Sequence, residues 1–320
     1  MKRLTAFVLL LACLFGLVPQ AVADQPDPIP VLSPEEITKT PKGIHHYMLI
    51  CVDSWAADLT KIGNHTDGLI LVTVDEYAGR VMLTSFIRDM LIQRPDGDFG
   101  RINNVMDQFG RGKGGMDALV DTINRHFDLE IEKYIAVDFR QVENIVNAVG
   151  GVDIEITARE ASYLRNYPLS AASTTPQLSG AGTYHFSGHA AVIYMRMRKV
   201  ANIEGETQDV GRTRRARTVL TTIADSLKDI TKEEATALLN VVLSNTVQTN
   251  MTAAELTAAM ELALKMKGTK IETIRMPIDG TYEAKSVAGM ATQQIDYLAN
   301  RKALHDFLID PFVVVDDDSF

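Results

Sequence analysis

Cysteine is almost absent from this chain: Cys13 and Cys51 are the two in 320 residues. Cys13 sits in the leader described below, so the expected mature protein carries one thiol and no internal disulfide. A fold of this length needs none. Cys51, inside an apolar strand, reads as core rather than nucleophile. Positive charge is the minority sign. Lys and Arg total 32 against 41 Asp and Glu, a formal net charge of −9. That balance argues against nucleic acid as a partner and makes any basic cluster a local feature. No Walker phosphate loop is present: in Gly110-Arg111-Gly112-Lys113-Gly114-Gly115 no Ser or Thr follows the lysine, and the run reads as a flexible lead into a helix. No Gly-x-Ser-x-Gly elbow appears, so a serine esterase lacks support. His185 and His189 have helical zinc spacing, but no Glu completes an HExxH motif. Beyond the first 23 residues no apolar run is long enough to cross a bilayer.

What is present is ordinary globular composition, 46% apolar and 23% charged. Lys2 and Arg3, the apolar run Leu4 to Val18 and the small residues Ala21-Val22-Ala23 read as a signal peptide over residues 1–23, or an uncleaved anchor. Residues 24–42, rich in Pro, Asp, Ser and Thr, read as a flexible tether. Residues 43–312 form one domain, and Asp316-Asp317-Asp318 places an acidic tail at 313–320.

Apolar, β-rich runs predict strands at His46–Val52, Gly68–Val74 and Arg80–Phe86, the last two joined by a hairpin turn ending in Gly79. Further strands are expected at Tyr134–Val137, Val152–Ile156 and Lys270–Met276. Periodicity predicts helices at Gly114–Phe127, Gln141–Val149, Asp209–Leu227, Lys232–Leu243, Ala253–Met266 and Gln293–Leu308, and polarity a loop at Ser170–Gly182. The sum is an α/β or α+β fold: a mixed, largely antiparallel central sheet with helices on its faces.

Two groups of residues have chemistry to offer. Arg196, Arg198, Lys199, Arg212, Arg214, Arg215 and Arg217 fall within 22 residues of a net acidic chain, which asks for an anion. Arg196 and Arg198 share a side in extended chain, and Arg212 and Arg215 share a helix face. Four converging guanidiniums suit a diphosphate, because each donates paired, charge-assisted hydrogen bonds to phosphate oxygens. The bland alternative is a solvated helix face. Asp53, Asp67 and Asp89 stand at strand ends, the last beside Arg88. Asp53 and Asp67 on adjacent antiparallel strands suit Mg²⁺, which takes one or two carboxylates and keeps its waters. Turn and cap aspartates are the alternative.

The ordered set of runs resembles the LytR-CpsA-Psr family. It comprises Tyr47–Ser54, His65–Val72, Leu83–Asp89, Arg101–Asn104, Val137–Phe139, Val149–Asp153, Ala191–Lys199 and Asp209–Arg215. The resemblance covers about Gly43 to Leu308. It implies an apolar interior that accepts a polyprenyl tail. It also implies a Mg²⁺-dependent phosphotransferase that moves an anionic glycopolymer, such as teichoic acid or capsular polysaccharide, from a polyprenyl diphosphate to peptidoglycan. By position, Asp53 and Asp67 match the metal carboxylates. Arg88, Arg101, Arg196, Arg198, Arg212 and Arg215 match the arginines around the diphosphate, and Asp209 the acid heading the helix that carries Arg212 and Arg215. Catalysis falls to Asp67, Arg88, Asp89, Arg196 and Arg198, with Asp67 or Asp89 receiving the hydroxyl proton. The family often has Arg where His65 and Trp55 stand, and Gln where Ala216 stands. A monomer outside the cytoplasm, secreted or anchored at the outer membrane face and working at that surface, is expected. A hydrolase of lipid-linked diphosphates and a non-catalytic polyprenyl-phosphate binder are the alternatives.

Overall fold

The computed structural model describes residues 26–53, 65–167, 177–245 and 248–309. The expected leader, the acidic tail, Trp55 and the first part of the Ser170–Gly182 loop lie outside the described residues.

In chain order the first elements are β1 (Ile44–Val52), β2 (Thr66–Asp75), β3 (Arg80–Phe86), β4 (Leu91–Gln93) and β5 (Phe99–Arg101). Helices α1 (Val105–Gln108) and α2 (Gly112–Phe127) lead to β6 (Lys133–Val137), α3 (Phe139–Ala148), β7 (Val152–Ile156), α4 (Ala158–Leu164), β8 (Gly182–Phe186) and α5 (Gly188–Met195). Then come α6 (Gln208–Ser226), α7 (Lys232–Asn245), β9 (Gln248–Thr249), α8 (Ala253–Lys265), β10 (Ile271–Met276), β11 (Tyr282–Val287), β12 (Met290–Ile295) and α9 (Tyr297–Leu308).

The central sheet has six strands in the order β10-β3-β2-β1-β6-β9. Its β1–β2, β2–β3 and β6–β9 pairs are antiparallel, and β1–β6 and β10–β3 parallel. The mixed sheet expected from the sequence is therefore present. The β2–β3 turn is fixed by Asp75, whose Oδ1 accepts from the Tyr77 and Ala78 amides at 2.9 Å, and by Gly79 at φ 64°. Along β1 the two faces diverge. Met48, Ile50 and Val52 are fully buried against α2 and α9, while Leu49 and Cys51 are half-buried on the other side. A second apolar cluster unites β7, β8, α4, α5 and Val219 of α6 around Phe186 and Tyr194. It depends on close helix contact: a Cβ on Gly188 would sit 2.1 Å from the Glu143 carbonyl oxygen.

Three expectations need correction. The chain before Gly43 is not a loose tether where it is described. Thr38 and Thr40 amides donate to Asp128 Oδ1 at 2.7 Å and Glu130 Oε2 at 2.8 Å, and the Leu32 carbonyl accepts from Arg125 at 2.7 Å. Those carboxylates and guanidiniums satisfy backbone groups that polar composition alone leaves to water. The last helix begins at Tyr297, not Gln293, because Gln293 pairs with Ala284 in the β11–β12 hairpin and Asp296 caps the helix through the Ala299 amide. That hairpin turns on Ala288 and Gly289, both at positive φ, the geometry of a two-residue type I′ loop. Its Lys- and Glu-bearing strands gave little apolar signal. Arg196 and Arg198 do not share one extended strand: Arg196 caps α5 in a helical conformation, and Arg198 lies in the irregular segment beyond.

Gly188→Ala is expected to cost about 1–3 kcal/mol, from overpacking against the α3 backbone. An unchanged urea midpoint would contradict this account of the α3–α5 contact.

Candidate active site

Asp67 is where the site begins. In the β1–β2 ladder Cys51 faces Gly68 and Val52 faces Thr66, so Asp67 is the extra residue of a bulge. A bulge bends the strand and re-aims its side chain. The Asp67 carboxylate accepts from Arg88 Nη1 at 2.8 and 3.0 Å and from Arg212 Nη1 at 2.7 Å. Arg212 also donates to the Asp67 carbonyl at 3.2 Å. Burial alone would raise this carboxyl, but Arg212 and Arg88 outweigh it and hold Asp67 below the ordinary carboxylate range.

Arg88 and Asp89 follow β3 in a segment pinned on several sides. Ile87 donates to the Met276 carbonyl at 2.9 Å, Gln293 of β12 donates to the Asp89 carbonyl at 2.8 Å, and Asn103 donates to the Arg88 carbonyl at 3.3 Å. Arg88 Nε reaches Asp209 Oδ2 at 3.3 Å and lies 3.7 Å from Asp89 Oδ1. Asp209 stands in the first turn of α6, where a carboxylate also suits the helix dipole. Asp89 Oδ1 and Asp209 Oδ1 are both buried without a hydrogen-bond partner. Burial and the Asp209 carboxylate push Asp89 up to about 6. Asp209 itself is lowered: burial opposes this, but the Asp89 hydrogen bond and Arg212, Arg88 and Arg198 outweigh it. The two carboxyls are thus set apart, with Asp89 the readier of the two to take a proton.

Arg198 adds Nε at 3.3 Å from Asp209 Oδ1. Arg196 lies with its guanidinium 4.6 Å from the centre of the Phe139 ring and Nη2 3.9 Å from Asp53. Arg196 and Arg198 are 43% and 42% exposed, so they keep donors to spare. Phe139 was missed by sequence reasoning as a functional residue. The signal was Asp138 with Gln141 three residues on, a capping box that starts α3 at Phe139.

Directly under this charged mouth is a cavity of about 430 Å³. Its floor is Leu49, Cys51, Ile70 and Ile135 of the sheet. Its walls are Phe139, Val142 and Ile145 of α3, Ala216, Leu220 and Ile223 of α6, and Val242 of α7. Asp53, Asp67, Arg88, Arg196, Arg198 and Arg212 line its opening. Burial pushes the Cys51 thiol up to about 12, so it is a floor group and no nucleophile at neutral pH. Ala216, at the position where the family often has Gln, leaves that wall apolar. His65 is exposed, and its carbonyl accepts from the Asp53 amide at 3.0 Å.

Burial and then the Asp67 charge raise the Asp53 carboxyl. Two carboxylates that repel one another fit a hard dication, and two ligands with the rest water fit Mg²⁺. Among the described residues no group of three or more His, Cys, Asp or Glu could hold a metal.

A model described as the LytR_cpsA_psr family matches residues 34–304. The chain belongs to this family. It is 25% identical over 213 residues to the polyisoprenyl-teichoic acid–peptidoglycan teichoic acid transferase TagV of Bacillus subtilis (strain 168), covering 65% of this chain and 51% of TagV. It is 28% identical over 238 residues to a transferase TagU of Oceanobacillus iheyensis, covering 73% of this chain and 66% of TagU. The matched stretches therefore span half to two-thirds of those relatives. In fold it resembles TagT bound to LIIa-WTA, with a TM-score of 0.65, 18% identity, and coverage of 86% of this chain and 96% of that one.

The family-matched residues do not all meet. Asp53, Asp67, Arg88, Arg196, Arg198 and Arg212 share the mouth, with Asp89 and Asp209 behind it. Arg101 stands further back, donating to the Ala291 carbonyl at 2.7 Å, with Nη1 3.5 Å from Asp89. Arg215 is a correction. It is fully buried and spends its guanidinium on Glu160 at 2.8 Å and on the Met197 and Val200 carbonyls, each at 2.8 Å. A three-residue spacing turns it off the Arg212 face enough to reach α4 instead. Its role is to staple the turn that carries Arg196 and Arg198.

Arg215→Met should lower stability by about 3–5 kcal/mol, because Glu160 is left buried and unpaired. Urea unfolding measures it; a loss under 1 kcal/mol would mean the pair is not holding that turn.

Proposed function

We propose that this protein transfers an anionic glycopolymer from a polyprenyl diphosphate to a hydroxyl of peptidoglycan, at the outer face of the cytoplasmic membrane. The observation that carries the reading is a guanidinium-lined mouth opening straight onto an apolar cavity. A polyprenyl diphosphate has those two halves in that order. Each buried methylene contributes about 0.8 kcal/mol, so the tail anchors the donor while the diphosphate meets the arginines. The transferase names of TagV and TagU agree with this reading.

The acceptor oxygen attacks the glycan-side phosphorus. An O–P bond forms, the bridging P–O bond breaks, and polyprenyl phosphate leaves with the electron pair. Negative charge spreads over the phosphoryl oxygens, so fixed positive charge and positioning dominate. Arg196 and Arg198 have the free donors for this. Arg88 and Arg212 are held in place by Asp67 before any ligand arrives. Mg²⁺ on Asp53 and Asp67 would neutralise phosphate charge. Asp67 is a poor proton acceptor, since two arginines keep it ionised. Asp89, raised to about 6 and still partly exposed, is the better one and takes the acceptor proton.

Arg198→Ala should leave folding intact and lower transfer about 10²–10³-fold, by comparison with losing one oxyanion donor. Wild-type transfer of lipid-linked glycan to peptidoglycan in that variant would remove Arg198 from the clamp. Glycan released equally fast without peptidoglycan would make the enzyme a hydrolase instead.

Asp89 accepts a proton only when ionised. Transfer should therefore be flat above pH 7 and fall about tenfold per unit below about 6. Asp89→Asn should abolish that limb. A kcat/KM profile unchanged from pH 5 to 8 would rule Asp89 out.

A further inference from the structure

Arg214 and Arg217 belong to the basic run but not to the mouth. Arg217 is 4% exposed and donates to the Ser85 hydroxyl, a neutral partner, with no carboxylate in contact among the described residues. Ser85 on β3 is the register partner of Arg275 on the parallel strand β10. Register partners on adjacent strands face the same way, so Arg275 points with Ser85 toward α6. Arg275 is 9% exposed, and its Nη1 is buried with no hydrogen-bond partner. Its Nη2 reaches Asp279, which is 89% exposed, and its guanidinium is 5.7 Å from the Tyr282 ring centre.

The nearby acids leave Arg217 without a contacting counter-charge among the described residues. Glu206 is already committed to Arg214, whose Nη2 donates to it at 2.7 Å, and to Asn202 at 2.9 Å. Glu204 lies 3.6 Å from Arg214, and Asp279 pairs with Arg275 Nη2 from an exposed position, so neither is in contact with Arg217. Buried cations are ordinarily paired, because taking a charge out of water without a counter-charge is costly. Burial and the neighbouring Arg214 and Arg275 push Arg217 down to about 10, as unrelieved positive charge should.

We propose that Arg217 and Arg275, beside a Ser85 hydroxyl whose own proton goes to the Ile274 carbonyl at 3.4 Å, form a second oxyanion site, which takes a phosphate group. One oxyanion between the two guanidiniums gives Arg275 Nη1 its missing acceptor and Arg217 its missing counter-charge. Ser85 is also the register partner of the floor residue Ile70, so this site adjoins the cavity on the same sheet face, but Arg217, Arg275 and Ser85 are not among the residues that line the cavity or its mouth. It does not depend on the transfer reading. The group it holds is either free phosphate or a phosphate of a polyanionic chain.

The test uses the full chain carrying Arg196→Ala and Arg198→Ala, which weakens the mouth. Inorganic phosphate should still raise Tm by about 2 °C or more at saturation, and further addition of Arg217→Met or Arg275→Met should abolish that rise. Two alternative substitutions guard against one that fails to fold. A rise that persists in either variant, or no rise before they are added, overturns the site. A lipid-free glycerol phosphate oligomer separates the sources. Binding tighter than inorganic phosphate, and lost with Arg217→Met, assigns the site to a polymer phosphate. Equal binding per phosphate assigns it to the free ion.

Discussion

Two guanidiniums on one carboxylate organise this molecule's mouth. Arg88 comes from the end of β3, Arg212 from α6, and Asp67 from a bulge in β2. At an effective dielectric of 20, a unit charge pair at 4 Å is worth about 4 kcal/mol, and two like charges repel as strongly. Without Asp67 the two arginines would push the helix and the strand end apart. With it, the cationic groups are gathered in advance, and the proposed transfer would need little reorganisation. Asp209 repeats the device one layer deeper, in contact with Arg88, Arg198 and Arg212.

How much of this was legible in the residues depended on which force set each feature. The β1, β2, β3, β6 and β10 strands and the α2, α3 and α6 helices are written as apolar periodicity, and they stand within a few residues of their expected bounds. The β11–β12 hairpin is held by a turn and by backbone contacts to Asp89 and Arg101, which leave a faint apolar trace. The segment before Gly43 is fixed by Asp128 and Glu130 some 90 residues away, and no local pattern carries that. In the site, Asp67, Arg88 and Arg212 were visible because charged residues stood at strand ends and on one helix. The difference between Arg212 and Arg215 was not. Both are arginines on one helix, and only the packing of α4 against the 197–200 segment decides that one meets Asp67 at the mouth and the other a buried glutamate.

The sheet divides its labour by face. The side bearing Met48, Ile50 and Val52 is closed by α2 and α9 into the main core. The side bearing Leu49 and Cys51 is left to a hollow that α3, α6 and α7 wall but do not fill. A pleated strand makes this separation automatic, since neighbouring residues belong to opposite layers. Folding stability and room for a ligand are thereby drawn from different side chains of the same strand.

Phe139 has a double allegiance. One ring both walls the cavity and bears the Arg196 guanidinium at 4.6 Å. For the proposed donor, hydrocarbon and phosphate would therefore be sensed by adjoining parts of one rigid aromatic plate. A chain that tilts the plate shifts a cation at the rim, so chain fit and headgroup grip are one measurement rather than two. On the proposed reading, selectivity for a carrier lipid would be written into the charge geometry, and trimming that plate would blur both at once.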